Sequence, residues 1–418
     1  MSKRLILQCG MAIAASASML VASGAAAQGA GEIRLGVLAT LQGAFAVLGQ
    51  DGMRGVQIAL DDANGAVAGK KLSIVVGSTD ATPNSAVAAA RKLVEQDKVD
   101  LIIGPLSGGE GLAVKAYARG RPETTFVYGS AAQDVTLRDP VPNYFRFSGD
   151  GAQWMAGLGS HVYDNKKYRR VAVLAEDYSY AYSQVQGFMT EFCSRGGHVT
   201  KKFWVPIGTK DFSSVATAVP KDVDAIFVGL SGADAVNFLT QYRQAGGDKP
   251  IIGGSLLVDQ SVLSSKGRFK DYVVGTSAAG PIADTLDEPK WLAFVAKYRA
   301  RFKDGFPSPS LIAYAYYVNT SAAIAGLDAV KGDLDGGQAK LRDALAKLQL
   351  DTPTGTVRLD KNRQAAIDNF VTEVSVGKDG ELVNKVMQRV VNVNQTLGMD
   401  PAAFMKNGPA SRDNPECP

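Results

Sequence analysis

Histidine and cysteine are nearly missing from this chain of 418 residues, which carries 2 of the first and 3 of the second. With only His161 and His198 present, and Cys9, Cys193 and Cys417 far apart, no Cys-x-x-Cys or His-x-x-x-His spacing exists, so no zinc or other metal site is expected. Both histidines read as surface residues. No Gly-x-Ser-x-Gly elbow occurs either, and the turns Gly129-Ser130 and Gly253-Gly254-Ser255 have no histidine partner in evidence, which argues against a serine hydrolase. An excess of one charge sign is absent as well. There are 45 Lys and Arg against 41 Asp and Glu, no electrostatic footprint for a nucleic acid. No convincing membrane span exists, because the apolar run from Leu5 to Ala22 is broken by Gln8, Cys9, Gly10 and several serines.

That run follows Lys3-Arg4 and precedes Ala25-Ala26-Ala27, the order of a secretory signal peptide, so residues 1–27 are expected to be cleaved and the rest to reside in the periplasm. The mature chain keeps Cys193 and Cys417, which an oxidising compartment allows to pair or leaves as free thiols. With 46% hydrophobic and 21% charged residues, it is an ordinary globular protein. The length suits two lobes rather than one core.

From Ile33 onward, apolar runs of strand length alternate with amphipathic helical stretches, the signature of parallel-sheet α/β units. Strands are expected at 33–39, 72–76, 100–104 and 125–128, then at 170–174, 199–205, 225–228 and 250–253, with 355–359 and 369–375 late in the chain. Helices are expected at 49–63, after Pro83, and at 111–119, 153–163, 182–195 and 233–245, then after Pro289 and from Pro309 to Val330. The pattern predicts two doubly wound α/β lobes. Neither half holds a complete set of elements, so three crossings are placed near 147–149, 277–280 and 355–357. Lobe 1 is then 28–147 plus 280–355, lobe 2 is 148–279 plus 356–395, and the proline-marked stretch 396–418 reads as an irregular tail.

One internal echo stands out. Val99 to Glu110 returns 124 positions later as Val223 to Asp234, with six of twelve positions identical. Each copy is a short apolar strand that ends in Leu-Ser-Gly and turns into a helix, placing Ser107 and Ser231 at strand ends where open α/β sheets bind ligands. The first copy lacks the Gly-Lys-Ser/Thr ending of a phosphate loop, and Glu110 would repel phosphate. Backbone N–H groups at a helix start suit a carboxylate; a plain helix cap is the alternative. Phe45, Tyr128, Tyr178, Tyr180 and Tyr182 lie just past expected strands, on loops facing a cleft, whereas Tyr314, Tyr316 and Tyr317 fall within a helix and read as core.

Ile33-Arg34-Leu35-Gly36-Val37 with Gln42-Gly43 and Gly49, Val99 to Ser107, Tyr128-Gly129-Ser130-Ala131-Ala132 and Asp211-Phe212-Ser213 together resemble the landmarks of a known family. The chain is similar, from about Ile33 to Val390, to the solute-binding proteins of ABC importers, specifically the leucine/isoleucine/valine-binding family with the type I periplasmic binding fold. The resemblance implies a receptor and no enzyme, without cofactor: a monomer whose lobes close on a small solute and hand it to a membrane permease. It implies that Ser107-Gly108-Gly109 and Ser130-Ala131-Ala132 hold a ligand carboxylate, with Tyr180, an aromatic at Ser231 and an ammonium-binding acid at Ser255 on the other wall. This chain departs from that pattern at Ala132, Ser231 and Ser255. Without the acid, a buried ammonium would lose a charge-assisted bond of about 1.5–3 kcal/mol. Members of the wider family with a similar pattern bind aromatic acids, so a benzoate or cinnamate derivative, sandwiched by Phe45 and Tyr180, is the expected ligand. A branched-chain or other amino acid held by Glu110 or Asp177, and a sensor role toward a membrane receptor or regulator, are the alternatives.

Overall fold

The computed structural model describes residues 31–417, so the expected signal peptide lies outside it. Two sheets organise the chain. The first has six strands in the order Ala66–Val67, Lys70–Thr79, Glu32–Thr40, Leu101–Ile103, Thr125–Val127 and Tyr144–Phe145. All neighbours are parallel except the first hairpin. Its central strand Leu101–Ile103 is entirely apolar and buried, as a strand covered on both faces must be.

The second sheet runs Gln349–Thr352, Gly355–Leu359, Ala365–Val376, Ser277–Gly280, Ile251–Gly253, Ala225–Gly229, Arg170–Glu176 and His198–Val205, with Leu382–Val393 also paired to Ala365–Val376. Four of its strands depart from the expected parallel pattern. Short turns join Gln349–Thr352 to Gly355–Leu359 and Ala365–Val376 to Leu382–Val393, and a connection that short permits only antiparallel pairing. Leu382–Val393 was not expected as a strand. Its Val386-Met387-Gln388-Arg389-Val390-Val391 stretch lacks clean alternation because the pairing slips twice.

Helix Ala46–Asp62 packs along helix Leu311–Ala329, closely enough that a methyl on Gly55 would lie 2.0 Å from the Ala313 carbonyl oxygen. Only glycine permits that approach. Tyr314 and Tyr316 are buried in this helix, as expected of core residues.

Several local expectations are corrected. The helix expected at 153–163 is broken into a short turn, Gln153–Met155, and a helix, Leu158–Asp164. Gly157 between them has φ 86°, and its N–H donates to the Glu191 carboxylate instead of continuing a helix. His161 is buried rather than on the surface, and burial lowers its pKa. The tail contains helix Pro401–Lys406, started by Pro401 and capped by Asp400. It ends in a disulfide between Cys417 and Cys193, whose Cα atoms are 5.4 Å apart.

Candidate functional site

Each sheet has a point where the strand order reverses, and the segments beyond the two points touch one another. In the first sheet, Glu32–Thr40 lies between Lys70–Thr79 and Leu101–Ile103; in the second, Arg170–Glu176 lies between His198–Val205 and Ala225–Gly229. Ligands of open α/β sheets bind beyond the carboxyl ends of strands at such points. Phe45 follows Glu32–Thr40, Ser107 follows Leu101–Ile103, Tyr180 follows Arg170–Glu176 and Ser231 follows Ala225–Gly229. Ser130 and Ser255 follow the next strands outward, Thr125–Val127 and Ile251–Gly253.

The helices that begin there meet. A methyl on Gly108, the first residue of helix Gly108–Arg119, would lie 2.7 Å from the amide nitrogen of Tyr180, near the start of helix Ser179–Ser194. A methyl on Gly232, which opens helix Gly232–Gln244, would lie 2.9 Å from the Ala44 carbonyl oxygen on the first-sheet side. Two helix N-termini, at Gly108 and Ser179, therefore meet where the two halves touch, each with a partial positive charge that favours an anion, while the third, at Gly232, faces the Ala44 carbonyl beside Phe45.

The carboxylates nearest these termini belong to the protein. The Ser107 hydroxyl accepts from the Glu110 N–H at 3.2 Å, while Glu110 Oε2 accepts from the Ser107 N–H at 2.8 Å and from the Thr40 hydroxyl at 3.1 Å. This is a full capping box. In the second copy the Ser231 side chain caps nothing, and its N–H donates to Glu176 Oε1 at 3.0 Å. Glu110 Oε1 and Glu176 Oε2, both buried, have no hydrogen-bond partner. Burial raises the pKa of each, and for Glu176, which rises well above the usual range, the Asp234 charge adds to the effect.

Around them stands a ladder of rings. Trp154 lies 5.8 Å from Tyr180, Tyr180 5.8 Å from Tyr178, and Tyr178 6.0 Å from Phe45, measured between ring centroids. Tyr178 thus stands between Phe45 and Tyr180, and Tyr180 and Tyr182 belong to the first turn of a helix rather than a loop. Tyr128 does not face the expected cleft: it is buried and stacks on Tyr144 at 4.4 Å.

The loop Ser130-Ala131-Ala132 is pinned from behind. Buried Arg146 donates to the carbonyls of Ser130 at 2.9 Å and Ala132 at 2.8 Å, and the Ala131 carbonyl accepts from the Gly151 N–H at 2.7 Å. The Ser130 hydroxyl has no partner. Ser255 accepts from Gln184 at 2.8 Å and borders a small cavity with Asp259, Ala279, Gly280 and Leu311. Gly109 is the more open member of its loop, with Pro83 as its neighbour.

Of the acids that the sequence offers, Asp177 is engaged by Arg412 and Tyr182, and Arg412 holds its carboxyl below the usual range. Asp259, missed in the sequence, has both oxygens occupied by the N–H groups of Ser261 and Leu311 at 2.8 and 2.7 Å. Burial pushes its pKa up to about 6. Glu176 was also missed, because a lone acid at the end of an apolar strand carries no spacing signal. Among the described residues, no cluster of three or more metal-ligating side chains exists and no helix is long and apolar enough to cross a membrane.

Comparison with known proteins agrees with this architecture. The family model described as "Periplasmic binding protein" matches residues 32–381. A Leu/Ile/Val-binding protein of Rhizobium johnstonii, BraC3, is 26% identical over 357 residues, covering 85% of this chain and 90% of that protein. An ABC transporter substrate-binding protein from Sphaerobacter thermophilus superposes with a TM-score of 0.77 at 28% identity, over 87% of this chain and 99% of that one. A solute-binding protein of an ABC transporter from Rhodopseudomonas palustris, solved with 3,4-dihydroxybenzoic acid, superposes with a TM-score of 0.80 at 23% identity, over 87% and 98%. The mixed α/β architecture, with two mostly parallel sheets, is that of type I periplasmic binding proteins, and the chain belongs to the periplasmic binding protein family.

Proposed function

We propose that this protein is the periplasmic receptor of an ABC importer, which captures a small aromatic carboxylate between its lobes, performs no chemistry and delivers it as a monomer to a membrane permease. The observation that carries the reading is the meeting of two helix N-termini, at Gly108 and Ser179, with the rings of Phe45, Tyr178 and Tyr180 beside them. An anion relieves the mutual repulsion of those termini, and a flat ring suits the aromatic wall.

In this reading lobe 1 is 28–147 plus 280–355 and lobe 2 is 148–279 plus 356–395, joined by hinges at the three crossings. Ser107, Gly108, Gly109, Ser130, Ala131 and Ala132 form the anion side; Phe45, Tyr180, Ser231 and Ser255 form the rest. Ser107 contributes mainly as a cap, since its N–H and hydroxyl are committed, and the Ser130 hydroxyl is the freer donor. Tyr178 must swing aside or stack on the ligand in place of one ring of the expected Phe45–Tyr180 sandwich. The solute-binding protein of R. palustris carries 3,4-dihydroxybenzoic acid, in keeping with this proposal.

An amino acid is the second reading, favoured by the unpartnered oxygens of Glu110 and Glu176 and by the name of the Rhizobium relative. Thermal unfolding separates the two. Addition of 4-hydroxybenzoate is expected to raise Tm and leucine to leave it unchanged; the reverse result overturns the aromatic-acid reading while sparing the receptor. Mass spectrometry of ligand co-purified from the periplasm identifies the native solute directly.

A further inference from the structure

Resting on the aromatic-acid reading, we propose that Glu176, with Ser231 and Tyr180, forms a polar subsite on the second-sheet wall that selects a ring hydroxyl on the ligand. The positions are set by the fold. Glu176 ends strand Arg170–Glu176 and Ser231 starts the helix that follows Ala225–Gly229, so the two residues flank the strand-order reversal of the second sheet.

Two side chains with buried, unpartnered polar atoms meet there, and Tyr180, close enough to feel the Glu176 charge, carries a third. Glu176 is 0% exposed, Ser231 1% and Tyr180 4%, and Glu176 Oε2, Ser231 Oγ and Tyr180 Oη all have no hydrogen-bond partner. A buried polar group without a partner is costly, so the free oxygens of Glu176 and Ser231, side by side, mark where a ligand's polar atom belongs. Glu176 Oε1 is already taken by the Ser231 N–H, which leaves one carboxyl oxygen for the solute.

The kind of solute group follows from charge. Glu176 forms no salt bridge among the described residues, and the charged neighbour acting on it, Asp234, is another acid. Burial and that neighbour both push the carboxyl's pKa up and so favour its neutral form, which offers no countercharge to an ammonium. A second ligand carboxylate would face that acidic surrounding. A hydroxyl donates and accepts, and it matches the carboxyl, the serine and the tyrosine together.

Calorimetric titration of the purified mature protein with benzoate, 4-hydroxybenzoate and leucine tests the assignment, using wild type, Glu176→Gln, Glu176→Leu and Ser231→Ala. Glutamine keeps a carbonyl for the Ser231 N–H and an N–H donor where the neutral carboxyl has its O–H, so it serves as the conservative replacement, whereas leucine removes both. Wild type is expected to prefer 4-hydroxybenzoate over benzoate by at least about tenfold, a discrimination typical of one buried hydrogen bond. That ratio should fall to about threefold or less in Glu176→Leu and partly in Ser231→Ala, and be largely kept in Glu176→Gln. An undiminished ratio in Glu176→Leu and Ser231→Ala, or wild type binding both acids equally, overturns the subsite while leaving the aromatic-acid receptor standing. Failure of wild type to bind either acid, with leucine binding in a Glu176-dependent manner, overturns the aromatic-acid reading itself. Should Glu176→Leu not fold, the Ser231→Ala ratio decides, an undiminished one overturning the subsite.

Discussion

The two Leu-Ser-Gly copies share half of their residues and the same strand-to-helix turn, yet they resolve their helix starts in opposite ways. In the first, Glu110 folds back on Ser107 from within the helix and closes the terminus on itself. In the second, Asp234 at the matching position turns away to accept from the Gly208 N–H at 2.7 Å, and Glu176 on a neighbouring strand takes the Ser231 N–H instead. One methylene separates Glu110 from Asp234, and with it the side chain's reach to its own N-cap. The first copy is thereby a self-contained turn, whereas the second depends on a distant strand and keeps its serine hydroxyl unpartnered.

The glycines behind the two serines play matching parts, since each abuts the opposite half of the molecule. Gly108→Val should therefore give the largest effect of any change in the echo: a loss of 4-hydroxybenzoate affinity of at least about tenfold, or about 1.4 kcal/mol, by calorimetry. Gly232→Ala should weaken binding comparably and also lower Tm, because its φ of 51° costs a residue with Cβ about 1–2 kcal/mol. If either variant bound normally, contact between the halves at these points would not be part of capture.

Stability should split the copies next. Glu110→Ala strips the acceptor from two buried donors and is expected to destabilise by about 1–3 kcal/mol in urea unfolding. Ser107→Ala should cost about 1 kcal/mol through the lost cap. Ser231→Ala, which removes no cap bond, should stay within about 0.5 kcal/mol. Equal losses at the two serines would erase the distinction.

The smallest expected effect is on pH dependence. Burial pushes the Asp234 pKa up to about 6 from an ordinary 3.8. The folded chain then holds this proton more tightly than the unfolded chain, so the contribution of Asp234 to stability falls as pH rises between those values and is level above. Asp234→Asn should flatten the fall of Tm over that window; an unchanged slope would show that Asp234 is not its source.

Much of the scaffold could be read from residue order. Apolar runs such as Leu101–Ile103 and Ala225–Gly229, alternating with amphipathic stretches, are strands and helices for local reasons, and the strand ends could be found from them. So could the first helix start, since Ser107 and Glu110 stand at cap spacing. Other features depend on partners remote in sequence. Glu176 meets Ser231 across 55 residues, and the ring ladder joins Phe45 to Trp154 through Tyr178 and Tyr180. The Leu382–Val393 strand exists because Ala365–Val376 is beside it, and His161 is buried because the helix bearing it is folded against neighbours.

Periodicity and cap spacing thus specified the α/β alternation, the strand ends and the self-closing first turn, because each rests on residues within a few positions of one another. Which buried carboxylate serves the second turn, which rings stack into the ladder and which hydroxyls lack partners followed from folding, because burial and hydrogen-bond satisfaction are set by groups brought together from across the chain.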